Sequence, residues 1–167
     1  AGSFILGRGV GAWSPQYKKS LAEWRSLPSH AVAGITADGT VVTSSRNVGV
    51  NAWSADRRVT PLVPAGSDYV VDAALSPDGR SVAVARNSGA VEVWPLRSPG
   101  EPVSIVGHEG GAWTVAFSPD GRLVASGGAD SMVKVWDAAT GEEAHALPPA
   151  HVLDIQSVDF GSDSSEL

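Results

Sequence analysis

The sequence predicts an all-β fold made of a four-stranded antiparallel unit that is repeated along the chain. Two residue markers recur with the same period of ~40 residues, which is the signature of a repeat architecture. The first marker is a Trp that ends a Val-rich run, with spacings of 40, 41 and 42 residues: Trp13, Trp53, Trp94 and Trp136. The second marker is an Asp-Gly pair, with spacings of 40 and 42 residues: Asp38-Gly39, Asp78-Gly79 and Asp120-Gly121. The composition agrees, because 19 Gly, 11 Pro and many short Val-rich stretches favour strands and turns over long helices.

The four strands of one period are clearest between residues 112 and 147. The first strand, WTVAF, alternates in polarity and ends in the turn SPDG, where Pro119 sets φ and Gly121 tolerates a positive φ. The second strand is LVAS, and the turn GGAD leads to the third strand, MVKVW. A turn from Asp137 to Gly141 precedes a polar fourth strand, EEAHAL, whose charges suit an outer sheet edge. Each period therefore predicts one small antiparallel sheet.

Residues 107–137 resemble a repeat of the WD-repeat family. The matching elements are Gly107-His108, the SPDG turn, the strand LVASG, Asp130 and the strand VKVWD. The copies at 31–64 and 70–106 are looser, because they lack Gly-His and their Trp is followed by Ser54 or Pro95 instead of Asp. The resemblance implies a β-propeller, in which four-stranded antiparallel blades surround a central channel.

The repeat also predicts the organisation of the chain. We expect three strands of a partial N-terminal blade (FILGR, VGAW and LAEW) in residues 1–28, and blades at 29–66, 67–107 and 108–150. Residues 151–167 would supply the first strand, IQSVDF, of a further or closing blade. This is about four blades' worth, whereas WD-repeat propellers usually have seven or eight, so we expect part of a larger propeller. A closed four-bladed ring and an eight-bladed ring built from two chains stay open as alternatives.

A Ser, a His and an Asp occur together in the best-matching repeat, as they do in hydrolase triads. The resemblance implies a different role, because the matching residues of WD repeats form a buried structural hydrogen-bond network. Here the network would comprise His108, Ser126, Asp130 and Trp136. No nucleophile-elbow pattern supports a hydrolase. The blade at 67–107 has Val84 at the Ser126 position, so we expect it to lack the network and to depend on apolar packing.

The remaining polar residues do not predict a metal or cofactor site. We interpret the three Asp-Gly pairs as hairpin turns, since Asp-Gly is a common turn pair and the three lie in successive blades. The absence of Cys excludes disulfides and Cys-based zinc sites. The four His residues have no spacing typical of metal ligands. We therefore predict no metal and no cofactor.

Charge and hydropathy limit the classes of partner. The net charge is −6 and the pI is about 5.1, with no basic run, which argues against nucleic-acid binding. No apolar run approaches the ~20 residues of a membrane span, so we predict no membrane insertion. We expect a cytoplasmic protein that binds protein or peptide partners, and that self-associates if its propeller is incomplete.

The favoured function is a protein-interaction scaffold, because WD-repeat proteins mostly bind partners on one face of the propeller. We align Tyr69 with Trp113, at the points where the chain enters inner strands, and aromatic residues are frequent at binding hot spots. An alternative is a regulatory or sensor module attached to a catalytic domain such as a kinase, protease or signalling NTPase. An enzyme is less favoured, because Asp72 and Asp159 are the only channel-side carboxylate candidates. The candidate partner contacts are Tyr69, Trp113, Arg46, Arg86 and Glu109.

Overall fold

The computed structural model describes residues 10–13, 20–24, 31–54, 56, 58–97, 100–147 and 154–162. All regular structure in these residues is β-strand, which confirms the predicted all-β class. The strands are β1 (Val10–Trp13), β2 (Ser20–Trp24), β3 (Ala31–Ile35), β4 (Val41–Ser45), β5 (Gly49–Trp53), β6 (Val59–Pro64), β7 (Val70–Leu75), β8 (Ser81–Arg86), β9 (Ala90–Pro95), β10 (Val103–Val106), β11 (Ala112–Phe117), β12 (Leu123–Gly128), β13 (Val133–Asp137) and β14 (Glu143–Leu147).

Twelve of these strands form three four-stranded antiparallel sheets, which we call the first, second and third blades. The first blade is β3-β4-β5-β6, the second is β7-β8-β9-β10 and the third is β11-β12-β13-β14. Within each blade the strands pair in chain order, because short turns join them and allow only antiparallel neighbours. Four-stranded blades in sequence are the architecture that the repeat predicts.

The two ends of the described chain differ in how far they match the predicted strands. VGAW and LAEW form β1 and β2, which pair with each other in antiparallel register, and FILGR lies outside the described residues. The predicted strand IQSVDF is not formed, since residues 154–162 carry no strand ladder. An inner strand pairs with the second strand of its own blade, and the described residues contain no such partner for this segment. In this segment the Ile155 N–H donates a hydrogen bond to the Gly128 carbonyl at 3.1 Å.

The core lies between blades that face one another. Val42, Val50 and Val63 of the first blade pack with Val82 and Val84 of the second, and all five are 0% exposed. A second cluster joins the second and third blades in the same way. Burying one Val side chain contributes about 1.5–3 kcal/mol, so each blade is stabilised mainly by its neighbours.

Candidate functional site

One end of the three blades carries several of the residues that the sequence singles out. The loops that lead from one blade to the next and the turns between second and third strands meet there, because both join the same ends of antiparallel strands. We call this end the top face and define it as residues 46–48, 65–69, 87–89, 107–111 and 129–132. The turns between first and second strands, residues 36–40, 76–80 and 118–122, lie at the opposite end, which we call the bottom face.

In the third blade a chain of hydrogen bonds runs from the top face into the core. The Trp136 indole N–H donates to Ser126 Oγ at 2.9 Å, and Ser126 Oγ lies 2.8 Å from His108 Nε2. His108 Nδ1 lies 2.8 Å from Asp130 Oδ1. With a neutral imidazole, each donor has an acceptor if Nδ1–H donates to Asp130 and the Ser126 hydroxyl donates to Nε2. The His108 side chain is 0% exposed, so no substrate has access to it.

Asp130 extends this network to the backbone of the top face. Its Oδ2 accepts the Glu109 N–H at 3.3 Å, and its Oδ1 accepts the Met132 N–H at 3.2 Å. Burial acts on the pKa of Asp130 most strongly and raises it, but the hydrogen bonds from His108, Met132 and Glu109 outweigh burial and lower the pKa overall. The carboxylate therefore ties the loop before β11 to the turn after β12.

The network also explains the glycine at the end of β12. A Cβ built on Gly128 would lie 2.5 Å from His108 Cγ. Only a residue without a side chain leaves room for the imidazole there. His108 and Gly128 are thus a matched large and small pair.

The first blade repeats the inner half of this arrangement. The Trp53 indole N–H donates to Thr43 Oγ1 at 2.8 Å, which corresponds to the contact between Trp136 and Ser126. In both blades a hydroxyl on the second strand accepts the hydrogen bond of the repeated Trp. For Trp13 the structure gives only the strand position, at the end of β1.

The second blade departs from the prediction of apolar packing alone. Val84 offers no hydroxyl, and the Trp94 indole N–H donates instead to Glu92 Oε2 at 2.7 Å. Glu92 Oε2 also pairs with Arg86 Nη2 at 2.8 Å, and Arg86 Nη1 donates to the Asp68 carbonyl at 2.8 Å. The blade lacks the network of the third blade, as expected from Val84. The expectation that it depends on apolar packing was wrong, because Glu92 lies directly across from Val84 and supplies the missing acceptor.

Arg86 is consequently not available as a partner contact. Its side chain is 10% exposed, and both terminal nitrogens are engaged within the blade. This corrects the prediction that placed it among the surface contacts. From the sequence we treated Arg46 and Arg86 alike, but Arg86 is the last residue of β8, whereas Arg46 follows β4 and lies in the turn.

The other four candidate contacts lie on or beside the top face. Arg46 is exposed, and its guanidinium carbon lies 5.1 Å from the centroid of the Tyr69 ring in the next blade. Trp113 is half-buried, and its indole N–H donates to Asp154 Oδ2 at 3.2 Å. Glu109 is exposed. A cation above an aromatic ring is an attractive pair of about 0.5–1 kcal/mol at exposed sites.

The two aromatic residues reach this region from different positions. The pairing of β11 with β12 shifts register at Trp113. The pairing of β7 with β8 shifts register at the equivalent position of the second blade, which is Val71. Tyr69 aligns instead with Gly111, since the Asn87 N–H bonds the Tyr69 carbonyl as the Ala129 N–H bonds the Gly111 carbonyl. Our alignment of Tyr69 with Trp113 was therefore wrong by two residues. A Cβ built on Gly111 would lie 2.3 Å from the Trp113 ring. The Trp113 ring therefore lies where a side chain at position 111 would start, and in the second blade the equivalent position carries the Tyr69 side chain.

The repeated Asp-Gly pairs occupy the bottom face in equivalent conformations. Gly39, Gly79 and Gly121 have φ values of 84°, 67° and 74°. Each preceding Asp accepts a hydrogen bond from the hydroxyl two residues earlier, which together with a backbone N–H lowers the pKa of its carboxyl. The hydroxyl donors are Thr36, Ser76 and Ser118.

The two carboxylates that the sequence suggested for a channel site are engaged by backbone groups. Asp72 Oδ2 accepts the Val115 N–H of the third blade at 3.1 Å, and Asp159 Oδ1 accepts the Phe160 N–H at 2.9 Å. Within the described residues, no group of three or more His, Cys, Asp or Glu side chains could hold a metal ion. No helix in this part of the chain is long and apolar enough to cross a membrane.

An open groove of about 810 Å³ lies away from the top face, between the first and second blades. One wall is the start of β6 and the other is the end of β9 with the following loop. Trp94 and several prolines give it an apolar lining, and Arg97 at its rim pairs with Asp38 of the first blade at 2.7 Å. The lining residues are Thr60, Pro61, Leu62, Trp94, Pro95, Leu96, Arg97, Gly100, Glu101 and Pro102.

Comparison with known proteins gives two positive findings. The family described as WD domain, G-beta repeat matches residues 100–137, which include His108, Ser126, Asp130 and Trp136. Among solved structures, the chain is similar to one from the crystal structure of a mitotic checkpoint complex, with a TM-score of 0.64 and 22% sequence identity. That match covers 92% of this chain and 49% of the other, so this chain spans about half the length of the similar one.

At this identity the similarity shows the fold alone. No curated protein sequence matches the chain. The family match falls on the third blade, in which the hydrogen-bond network is complete. The chain therefore contains a WD40 repeat at residues 100–137, within a fold that has three four-stranded antiparallel blades.

Proposed function

We propose that the chain is a protein-interaction scaffold that binds a peptide or protein partner on its top face. The observation that carries the proposal is the Arg46–Tyr69 contact, which joins the turn of one blade to the loop of the next at 5.1 Å. An exposed guanidinium above an aromatic ring offers a partner both charge and apolar area. Tyr, Trp and Arg are the residue types most enriched at binding hot spots.

The backbone of the top face is held firmly enough to present these side chains. In the third blade the Asp130 carboxylate bonds the loop at Glu109, and in the second blade the Asp68 carboxylate bonds the turn at the Ser88 N–H, at 2.8 Å. A face ordered before binding loses less conformational entropy when a partner docks. The family match and the similarity to a propeller solved within a complex support the same reading.

Catalysis is a weaker candidate on chemical grounds. A Ser nucleophile must reach its substrate, whereas Ser126 is 0% exposed and its hydroxyl is shared between His108 and Trp136. The carboxylates of Asp72 and Asp159 each accept a hydrogen bond from a backbone N–H.

The test is a selection of peptides that bind the 167-residue chain from a random peptide library displayed on phage. Selected peptides would then be titrated against single Arg46→Ala, Tyr69→Ala and Trp113→Ala variants. We expect a loss of affinity of about ten-fold or more in at least two of them, as hot-spot residues show. Arg80→Ala is the matched control, since Arg80 is 83% exposed on the bottom face.

The two outcomes separate cleanly. Peptides that lose affinity for the top-face variants but not for Arg80→Ala would support the proposed face. Peptides that bind all four variants as tightly as the wild type would show that the top face is not the binding surface. The next measurement would then be the affinity of the same peptides for a variant substituted at Trp94, in the groove.

A further inference from the structure

We propose that Arg86 is a positioning residue, which holds the loop at residues 65–69 so that Tyr69 stays beneath Arg46. The inference rests on the proposed function only in treating that pair as part of a binding face. The positioning itself is a property of the free protein and is measured there.

Arg86 connects the core of the second blade to this loop. One terminal nitrogen donates to the Asp68 carbonyl at 2.8 Å, and the other pairs with Glu92 Oε2 at 2.8 Å. Glu92 is itself held by the indole of Trp94. The residue after Asp68 is Tyr69, so the anchored carbonyl belongs to the peptide unit that leads directly to the aromatic ring.

Stability alone does not account for this arrangement. The Arg86 and Glu92 side chains are 10% and 16% exposed, and buried ion pairs are often no more stabilising than apolar residues of similar size. Moreover, the buried Arg86 Nε has no hydrogen-bond partner within the described residues. An apolar side chain could fill the same volume, but it could not donate a hydrogen bond to the loop.

Comparison of the blades points to the same role. Positions 66 and 86 of the second blade align with positions 108 and 128 of the third. The third blade has His108 on the loop and Gly128 on the strand, whereas the second has Gly66 on the loop and Arg86 on the strand. In both blades one buried basic side chain bonds to the loop or turn of the top face: His108 to Asp130, and Arg86 to the Asp68 carbonyl. The large and small residues have exchanged places, and the anchorage of the loop is retained.

Two backbone amides report on the loop directly. The Asn87 N–H donates to the Tyr69 carbonyl at 3.1 Å, and the Ser88 N–H donates to Asp68 Oδ1 at 2.8 Å. Both amides are protected from exchange only while the loop lies against the turn. The third blade contains the matching reporter, because the Ala129 N–H donates to the Gly111 carbonyl at 2.9 Å and has no contact with Arg86.

The experiment is amide hydrogen exchange, followed by NMR, on the 167-residue chain and two variants. Arg86→Lys keeps the charge but not the guanidinium fork that reaches both partners. The double variant Arg86→Met with Glu92→Gln leaves no lone buried charge and keeps an acceptor for Trp94. Arg80→Met, at an exposed arginine of the bottom face, is the control.

We expect exchange at Asn87 and Ser88 to be at least about ten-fold faster in both Arg86 variants, the factor for losing a charge-assisted hydrogen bond. Ala129 should exchange at the wild-type rate, and Arg80→Met should change none of the three amides. Unchanged exchange at Asn87 and Ser88 would overturn the proposal. Equal acceleration at Ala129, or failure of both variants to fold, would also overturn it, because Arg86 would then support the whole fold and not the loop.

The result is distinguishable from a failure of the proposed function. If selected peptides ignore Arg46 and Tyr69 while the amides respond as expected, Arg86 still positions the loop but the loop binds no partner. If the peptides depend on Tyr69 and the amides do not respond, the face binds without help from Arg86.

Discussion

Asp72 on the inner strand of the second blade accepts the backbone N–H of Val115 on the inner strand of the third, at 3.1 Å. The bond crosses from blade to blade close to the register irregularity of β11. Because β11 is the edge strand of its sheet, its backbone groups that point away from β12 have no ladder partner. A side chain of one blade therefore satisfies the backbone of the next.

This bond predicts different effects for two substitutions of Asp72. Asp72→Ala removes the acceptor and leaves a partly buried N–H unsatisfied, so we expect a loss of about 1–3 kcal/mol in the free energy of unfolding. Asp72→Asn retains an oxygen acceptor and should cost less than half as much. Urea unfolding of both variants measures the difference. Equal losses would mean that the charge, and not the hydrogen bond, matters.

The network of the third blade makes a stronger prediction. His108→Ala and Asp130→Ala each leave buried polar groups without partners, and we expect each to destabilise the chain by about 2–4 kcal/mol. His145→Ala is the matched control, because His145 is exposed on β14. Thermal melts of all three variants measure the change in stability. Unchanged stability in both His108→Ala and Asp130→Ala would contradict a structural role for the network.

The pKa of Asp130 predicts a dependence of stability on pH. The pKa of this carboxyl is lowered in the folded state from its ordinary value of 3.8, because the hydrogen bonds to the carboxylate outweigh the effect of burial. A lowered folded pKa contributes stability that is present above 3.8 and is lost as the pH falls through the folded value. We therefore expect the acid side of the stability curve to be flatter in Asp130→Asn than in the wild type. An unchanged slope below pH 4 would contradict the shift.

Substitutions at two glycines compare the loss of stability caused by backbone strain with the loss caused by a steric clash. Gly39 has a φ of 84° and nothing near its missing Cβ, so Gly39→Ala should cost about 1 kcal/mol from strain alone. Gly128→Ala would push a Cβ to 2.5 Å from His108 Cγ, which requires the imidazole to move. We expect a clearly larger loss of stability in Gly128→Ala, measured by urea unfolding. The reverse order would mean that the loop at His108 yields easily.

The number of blades remains a prediction, which the mass of the chain in solution tests. If the propeller has seven or eight blades, four blades' worth in one chain need further blades, and light scattering should give a dimer or a larger species. A monomer with a single cooperative melt would support a closed four-bladed ring instead.

The sequence predicted the third blade well because its residues carry the repeat signature almost without change. The second blade shows where such reasoning fails. In sequence, Gly66 and Arg86 look like losses of the expected His and Gly, whereas in the structure Arg86 bonds the loop in place of the missing His. The paired change in size at aligned positions was a usable signal. The Arg46–Tyr69 contact was not predictable, because it depends on how two blades face each other.

The charged residues beneath the top face differ between the second and third blades, and this difference affects which strands can pair while the chain folds. Repeats with similar strands can pair in the wrong order, as misassembled repeat proteins do. If β8 paired with β13, Lys134 would take the place of Glu92 and meet Arg86, so two cations would share a buried site. If β12 paired with β9, Glu92 would instead approach Asp130. Each wrong pairing would bury like charges. The polar residues beneath the top face therefore disfavour pairing between strands of different blades.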